Sequence, residues 1–104
     1  MELTSKQRAY LKSLAMDLDP SFNVGKESLT PGVTSAVDEA LEANELIKIG
    51  VLKNCQDDPR EIAEMIAERT HSITVQVIGK KMIFYRQAKK SEDRKIVLPK
   101  AVRS

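Results

Sequence analysis

Two dipeptides constrain this chain more than any others, Thr30-Pro31 and Asp58-Pro59. Each sets a short oxygen-bearing side chain one residue before a proline. That pairing suits the start of a helix, where the N-cap oxygen accepts an unpaired N–H and the donor missing from proline is no loss. Asp58 is also followed by Glu61, which stands where a capping-box carboxylate belongs. Both starts come after stretches that alternate like strands: Phe22 and Val24 before the first, Leu46 to Lys53 before the second. A chain that passes repeatedly from strand to helix implies one sheet with helices packed against one or both of its faces.

The other elements follow from periodicity. Thr4 opens an earlier helix with Gln7 as its capping-box partner, and Leu11, Leu14, Ala15 and Leu18 recur at helical spacing. Asp19-Pro20 ends that run, because a residue before proline is pushed out of the α region. In the second helix Val33, Val37, Ala40 and Leu41 form the buried stripe, Asp38, Glu39 and Glu42 lie off it, and Asn44 stands as C-cap. Ile47, Ile49 and Val51 share one face of the next strand, and the third helix turns Ile62, Met65, Ile66 and the stem of Arg69 inward. Ile73, Val75 and Val77 then alternate with Thr74 and Gln76. Gly79-Lys80 makes a two-residue turn, and Met82 to Arg86 returns as the second strand of a hairpin. The expected fold is one compact α/β domain in the order α-β-α-β-α-β-β, with a four-stranded mixed sheet. Residues 1–90 form the domain and residues 91–104 a basic tail, whose Ile96-Val97-Leu98 either docks as an added strand or stays mobile.

Charge is unevenly spread. Residues 31–70 hold four bases against nine acids, a balance of −5, whereas residues 79–104 hold nine bases against two acids, a balance of +7. The formal total of +2 conceals this division. A basic quarter beside an acidic middle points to an anionic partner for the basic part. The single cysteine, Cys55, rules out an intrachain disulfide and suits a reducing cytoplasm. Lys6, Arg8 and Lys12 interrupt any apolar run near the N-terminus, so no signal peptide is expected, and no stretch approaches the ~20 apolar residues of a membrane span.

Catalytic signals are weak. One His and one Cys, His71 and Cys55, cannot supply the three or four ligands of a zinc site, and Asp58 is accounted for as a helix cap. Phosphate-binding Walker loops, dinucleotide fingerprints and nucleophile elbows are missing. No enzyme, cofactor or metal is therefore expected. Gly25-Lys26-Glu27-Ser28, by contrast, runs from a strand towards a helix N-terminus, where free amides and the helix dipole attract phosphate and Lys26 adds charge. Lys80 and Lys81 tip the hairpin, and Arg86 with Lys89-Lys90 continues beyond it. Tyr10, Phe22, Phe84 and Tyr85 are the only aromatic residues, so the chain is better supplied for phosphate contacts than for base stacking.

Read together, Leu3-Thr4-Ser5-Lys6-Gln7-Arg8, Val24-Gly25-Lys26 with Leu29-Thr30, Glu45-Leu46-Ile47-Lys48, Val75-Gln76-Val77-Ile78-Gly79-Lys80, Phe84-Tyr85-Arg86 and Arg94-Lys95-Ile96-Val97-Leu98-Pro99 resemble the CRM domain (chloroplast RNA splicing and ribosome maturation), in its stand-alone bacterial YhbY-like form. The resemblance implies a fold similar to the C-terminal domain of translation initiation factor three. It also implies an RNA-binding protein associated with large ribosomal subunit assembly, whose partner is ribosomal RNA in large-subunit precursors. A cytoplasmic monomer is expected, with ribosomal proteins as further partners. It assigns RNA contact to a Gly-x-x-Gly loop before the second helix, here Gly25, Lys26, Glu27 and Ser28, with serine in place of the second glycine. Either Ser28 adopts a positive φ, at ~1–2 kcal/mol, or the loop has another shape in which its hydroxyl binds phosphate or caps the helix. Lys80, Lys81 and Arg86 would widen the basic surface, with Lys6, Arg8 and Lys12 as further candidates. The competing expectation is a protein-interaction module whose acidic second helix docks on a ribosomal protein.

Overall fold

The computed structural model describes residues 2–100 of the chain; residues 101–104 of the expected tail lie outside the described residues. The elements follow in the order α1 (Ser5–Ala15), β1 (Phe22–Val24), α2 (Pro31–Asn44), β2 (Leu46–Val51), α3 (Pro59–Thr70), β3 (Ile73–Ile78) and β4 (Lys81–Tyr85), with a short 3-10 turn at Ser91–Asp93. The strands lie side by side as β1-β2-β4-β3. β1 runs parallel to β2, while β4 is antiparallel to both β2 and β3, so the sheet is mixed.

Each helix begins where its cap dictates. Thr4 Oγ1 accepts from the Gln7 N–H at 3.1 Å and Gln7 Oε1 accepts from the Thr4 N–H at 3.0 Å, a complete capping box. Thr30 Oγ1 accepts from the Val33 N–H and Asp58 Oδ1 from the Arg60 N–H, with a proline opening each of these helices. The ends depart from the sequence pattern. α1 stops at Ala15, before Asp19-Pro20, and Leu18 reaches the core from the following loop. α2 continues through Asn44, and the C-cap is Glu45 at φ 66°. α3 ends on His71 in the left-handed region at φ 55°. Arg69 stays exposed, and Ala63 joins Ile62 and Ile66 as the buried face of α3.

Helices cover both faces of the sheet. Strand alternation sends Val24, Ile47, Ile49, Val51, Met82 and Phe84 towards α2 and α3, where they meet Val37, Leu41, Ile62 and Ile66. It sends Leu46, Ile83 and Tyr85 to the other face, under Leu11 and Ala15 of α1. β3 breaks the simple alternation expected for Ile73, Val75 and Val77. The register against β4 shifts between Thr74 and Gln76, a bulge that turns Val75 to the α1 side while Val77 packs on the α2–α3 side. A bulge leaves ladder groups unpaired, and here Arg8 of α1 answers them, its Nη1 donating to the carbonyls of Thr74 and Val75 at 2.8 and 2.7 Å.

Beyond β4 the described residues fold back without forming a strand. Ile96 and Leu98 pack against the α1-side core, and Gln7 Nε2 donates to the Pro99 carbonyl. The fully buried Glu45 carboxylate anchors this segment, accepting the N–H groups of Ala88, Lys95 and Ile96. Burial on its own would raise the Glu45 pKa; the three N–H donors, with Arg94 nearby, outweigh it and hold the group below the ordinary glutamate value.

Candidate nucleic-acid interface

The topology gathers three turns at one end of the sheet. β1 and β2 are parallel, so the chain leaves both strands in the same direction, and the β3–β4 turn arrives at that same end because Lys81 pairs with Gly50. The Leu52 N–H donates to the Val24 carbonyl at 2.8 Å, and the Val51 N–H to the Lys80 carbonyl at 2.7 Å. A side chain at Gly25 would meet Leu52 and Asn54. The Gly25–Ser28 loop, the Leu52–Asn54 turn and the Gly79–Lys81 turn therefore lie in a row. Lys26, Lys53, Lys80 and Lys81 are all exposed along it, with Glu27 the acidic residue of the loop.

Lys53 was not singled out by sequence pattern. It sat inside a run that alternated like a strand, but β2 ends at Val51 and Lys53 stands in the turn. The available signal was positional: Lys53 follows β2 much as Lys26 follows the parallel β1.

The loop itself takes the strained alternative. Ser28 has φ 55° and its N–H closes a turn on the Gly25 carbonyl at 2.9 Å. Only glycine adopts that region without cost. Thr30, and not Ser28, caps α2, and Ser28 Oγ is buried without a hydrogen-bond partner. The residues from Gly25 to Ser28, with Thr30 and Val33, line an open recess of about 320 Å³ in front of the α2 N-terminus. Such a place offers free backbone amides and the positive helix end to an anion.

Two residues expected to add to the basic surface are turned inward. Arg86 keeps only 11% of its side chain exposed; Nη1 donates to Asp38 Oδ1 and the Thr70 carbonyl, Nη2 donates to the Asp38 carbonyl, and Glu42 lies 3.7 Å away. Its charge is spent within the fold. Arg8 is likewise committed to the β3 bulge. Lys6 is exposed, but at the end of α1 that lies by Thr74 and Pro99 and away from the row of turns. Lys12, half-buried, lies with Lys48 and Lys81 on the α1 side of the sheet. Tyr85 is buried and unable to stack on a ligand; burial, then the Glu45 carboxylate, raise its pKa.

The acidic second helix is also drawn into the fold. The hydrogen bond from Arg86, with the guanidinium charge, holds the Asp38 pKa below its usual value despite partial burial. Glu42 accepts the Lys89 and Lys90 N–H groups, while Glu39 is exposed and Asp38 keeps about half of its side chain in solvent. Two of the three acids of this helix are thus partly engaged within the fold. His71 and Cys55 stand at opposite ends of α3, one its C-cap and the other before its N-cap, too far apart to act together.

Fold and site together define a small α/β module with a mixed sheet and one lysine-bearing row of turns. The CRS1 / YhbY (CRM) domain model matches residues 3–86, and the chain belongs to that family. It is 41% identical over 97 residues to "Probable RNA-binding protein YqeI" of Bacillus subtilis, covering 93% of this chain and 99% of that one. It is 37% identical over 98 residues to an RNA-binding protein of Haemophilus influenzae, covering 94% and 96% respectively. The solution structure of a Staphylococcus aureus protein, described as a candidate RNA-binding protein, superposes with a TM-score of 0.75 at 43% identity over 94% of this chain and all of that one. Among the described residues no helix is long and apolar enough to cross a membrane.

Proposed function

We propose that this protein binds ribosomal RNA in assembling large ribosomal subunits, as a cytoplasmic monomer that acts by binding and not by catalysis. Phosphates lie along Lys26, Lys53, Lys80 and Lys81, and one of them is received by the Gly25–Ser28 turn in front of α2. The observation that carries this reading is the row of three turns, brought to one end by the parallel β1–β2 pair and the hairpin register. Phosphate contacts position a protein on RNA without reading sequence, which suits a surface of lysines and backbone amides. The RNA-binding relatives, which match almost end to end, support the choice of polyanion.

Lys26→Glu and the Lys80→Glu/Lys81→Glu pair test it. Both sites are exposed, so the variants should fold as the parent does. Each is expected to lower affinity for large-subunit ribosomal RNA in fluorescence anisotropy and to reduce co-sedimentation with subunit precursors. Co-sedimentation that survives ribonuclease treatment, or parental affinity in both variants, would contradict the reading.

A further inference from the structure

α1 is too short to roof its side of the sheet. It ends at Ala15, above Ile83, and beyond it the α1-side face lies open towards the row of turns. By strand alternation this part carries the exposed Asn23 of β1, the half-buried Lys48 and buried Gly50 of β2, and the exposed Lys81 of β4. A Cβ at Gly50 would meet Asn23 Oδ1, the end of an exposed side chain, so glycine there lets the Asn23 amide lie across β2 near the Lys81 ammonium.

A recess of about 170 Å³ lies between the end of α1 and this face. Its inner surface is apolar, with Ala15 and Ile83, and Met16 and Ile78 stand at its mouth, 79% and 57% exposed. Single exposed apolar side chains are ordinary, but here two flank one cavity. Lys12, Lys48 and Lys81 complete the lining, which contains no carboxylate. The β3 bulge adds Gln76, whose amide supplies both a donor and an acceptor. The volume falls below the ~300–1,000 Å³ of pockets for larger ligands and suits a single flat ring system.

We infer that this recess receives an unpaired nucleobase, so that the protein selects single-stranded over helical RNA. This rests on the RNA-binding reading above and extends it. Lys81 belongs to both the row of turns and the recess, so a strand whose phosphates follow the row turns at Lys81 onto the open face. There its base lies between Met16 and Ile78, its edge meets Gln76, and Lys12 and Lys48 hold the flanking phosphates. Bases of a helix are stacked and paired and cannot enter such a recess, whereas those of loops and bulges are free to splay.

The test is fluorescence anisotropy with a labelled, unstructured oligoribonucleotide of about a dozen residues, the same strand annealed to its complement, and an abasic strand of equal length. The wild-type protein is expected to bind the single strand about tenfold more tightly than the duplex or the abasic strand, a difference of ~1.4 kcal/mol. Met16→Ser/Ile78→Ser, at exposed positions outside the core and checked by circular dichroism, should lose that preference and keep the residual affinity. Lys26→Glu should weaken all three probes alike. Equal wild-type binding of single strand and duplex, or a preference that persists in Met16→Ser/Ile78→Ser, would overturn the inference while leaving the lysine row intact. Indifference of every probe to Lys26→Glu would instead bring down the reading beneath it. An oligoglutamate peptide that displaces the strand from wild type but does not bind Met16→Ser/Ile78→Ser would assign the recess to a protein partner and overturn it too.

Discussion

The Val51 N–H donates to the Lys80 carbonyl at 2.7 Å, and this bond fixes the tip of the β3–β4 hairpin beside the end of β2. Lys53 follows two residues after Val51, and Gly25 sits across β2's end from the hairpin. The relative placement of Lys26, Lys53 and Lys80 is therefore set by ladder geometry and not by mobile side chains alone. Lys53→Glu is expected to weaken RNA binding about as much as Lys26→Glu, roughly three- to thirtyfold at low salt, and to flatten the salt dependence. Anisotropy titrations of the two variants side by side check this.

Arg86 has a different role. Removing its guanidinium leaves Asp38 and the Thr70 carbonyl without this donor and takes the charge from beside Glu42, which keeps the Lys89 and Lys90 N–H groups. Asp38 is half exposed, so water recovers part of the loss. Arg86→Met should cost about 2 kcal/mol in urea denaturation, while the RNA affinity of the folded protein stays within about twofold of the parent.

Ser28 is a position where the chain is less stable than it could be. Ser28→Gly removes both the left-handed strain and a buried hydroxyl without a partner. A gain of about 1 kcal/mol is expected in the same denaturation assay, with the loop's backbone and its affinity for RNA preserved.

Glu45 makes stability depend on pH. Its carboxyl is depressed in the folded protein, so the unfolded chain binds the proton more readily. The stabilisation is complete above the ordinary glutamate value near ~4.3 and is lost as pH falls through the lower folded value. Asp38 contributes with the same sign. Glu45→Gln should destabilise the protein by about 2 kcal/mol at neutral pH, since an amide cannot replace a carboxylate before three N–H donors. The gap between variant and parent should narrow below about pH 4, measured by denaturation across the acid range.

The fold was legible wherever local chemistry decides structure. Thr4, Thr30 and Asp58 started helices because their oxygens take backbone donors within a few residues, and Gly79 marked its turn through a positive φ. What depends on distant partners was not legible. Val75 and Val77 looked equivalent until the bulge placed them on opposite faces. Arg86 and Asp38, 48 residues apart, looked like one surface base and one surface acid until the fold joined them. Lys53 gained meaning only from strand pairing, and nothing local to Glu45 pointed to its anchoring the C-terminal segment.

The most direct test is the salt dependence of wild-type binding to an unstructured oligoribonucleotide. The four lysines of the row, engaging four phosphates, contribute about −3 to the log–log slope at ~0.7 per phosphate, and replacing Lys26 or Lys53 by alanine should reduce the total by about 0.7. A slope near zero, or one that neither substitution changes, would contradict the row of turns as the RNA-binding surface.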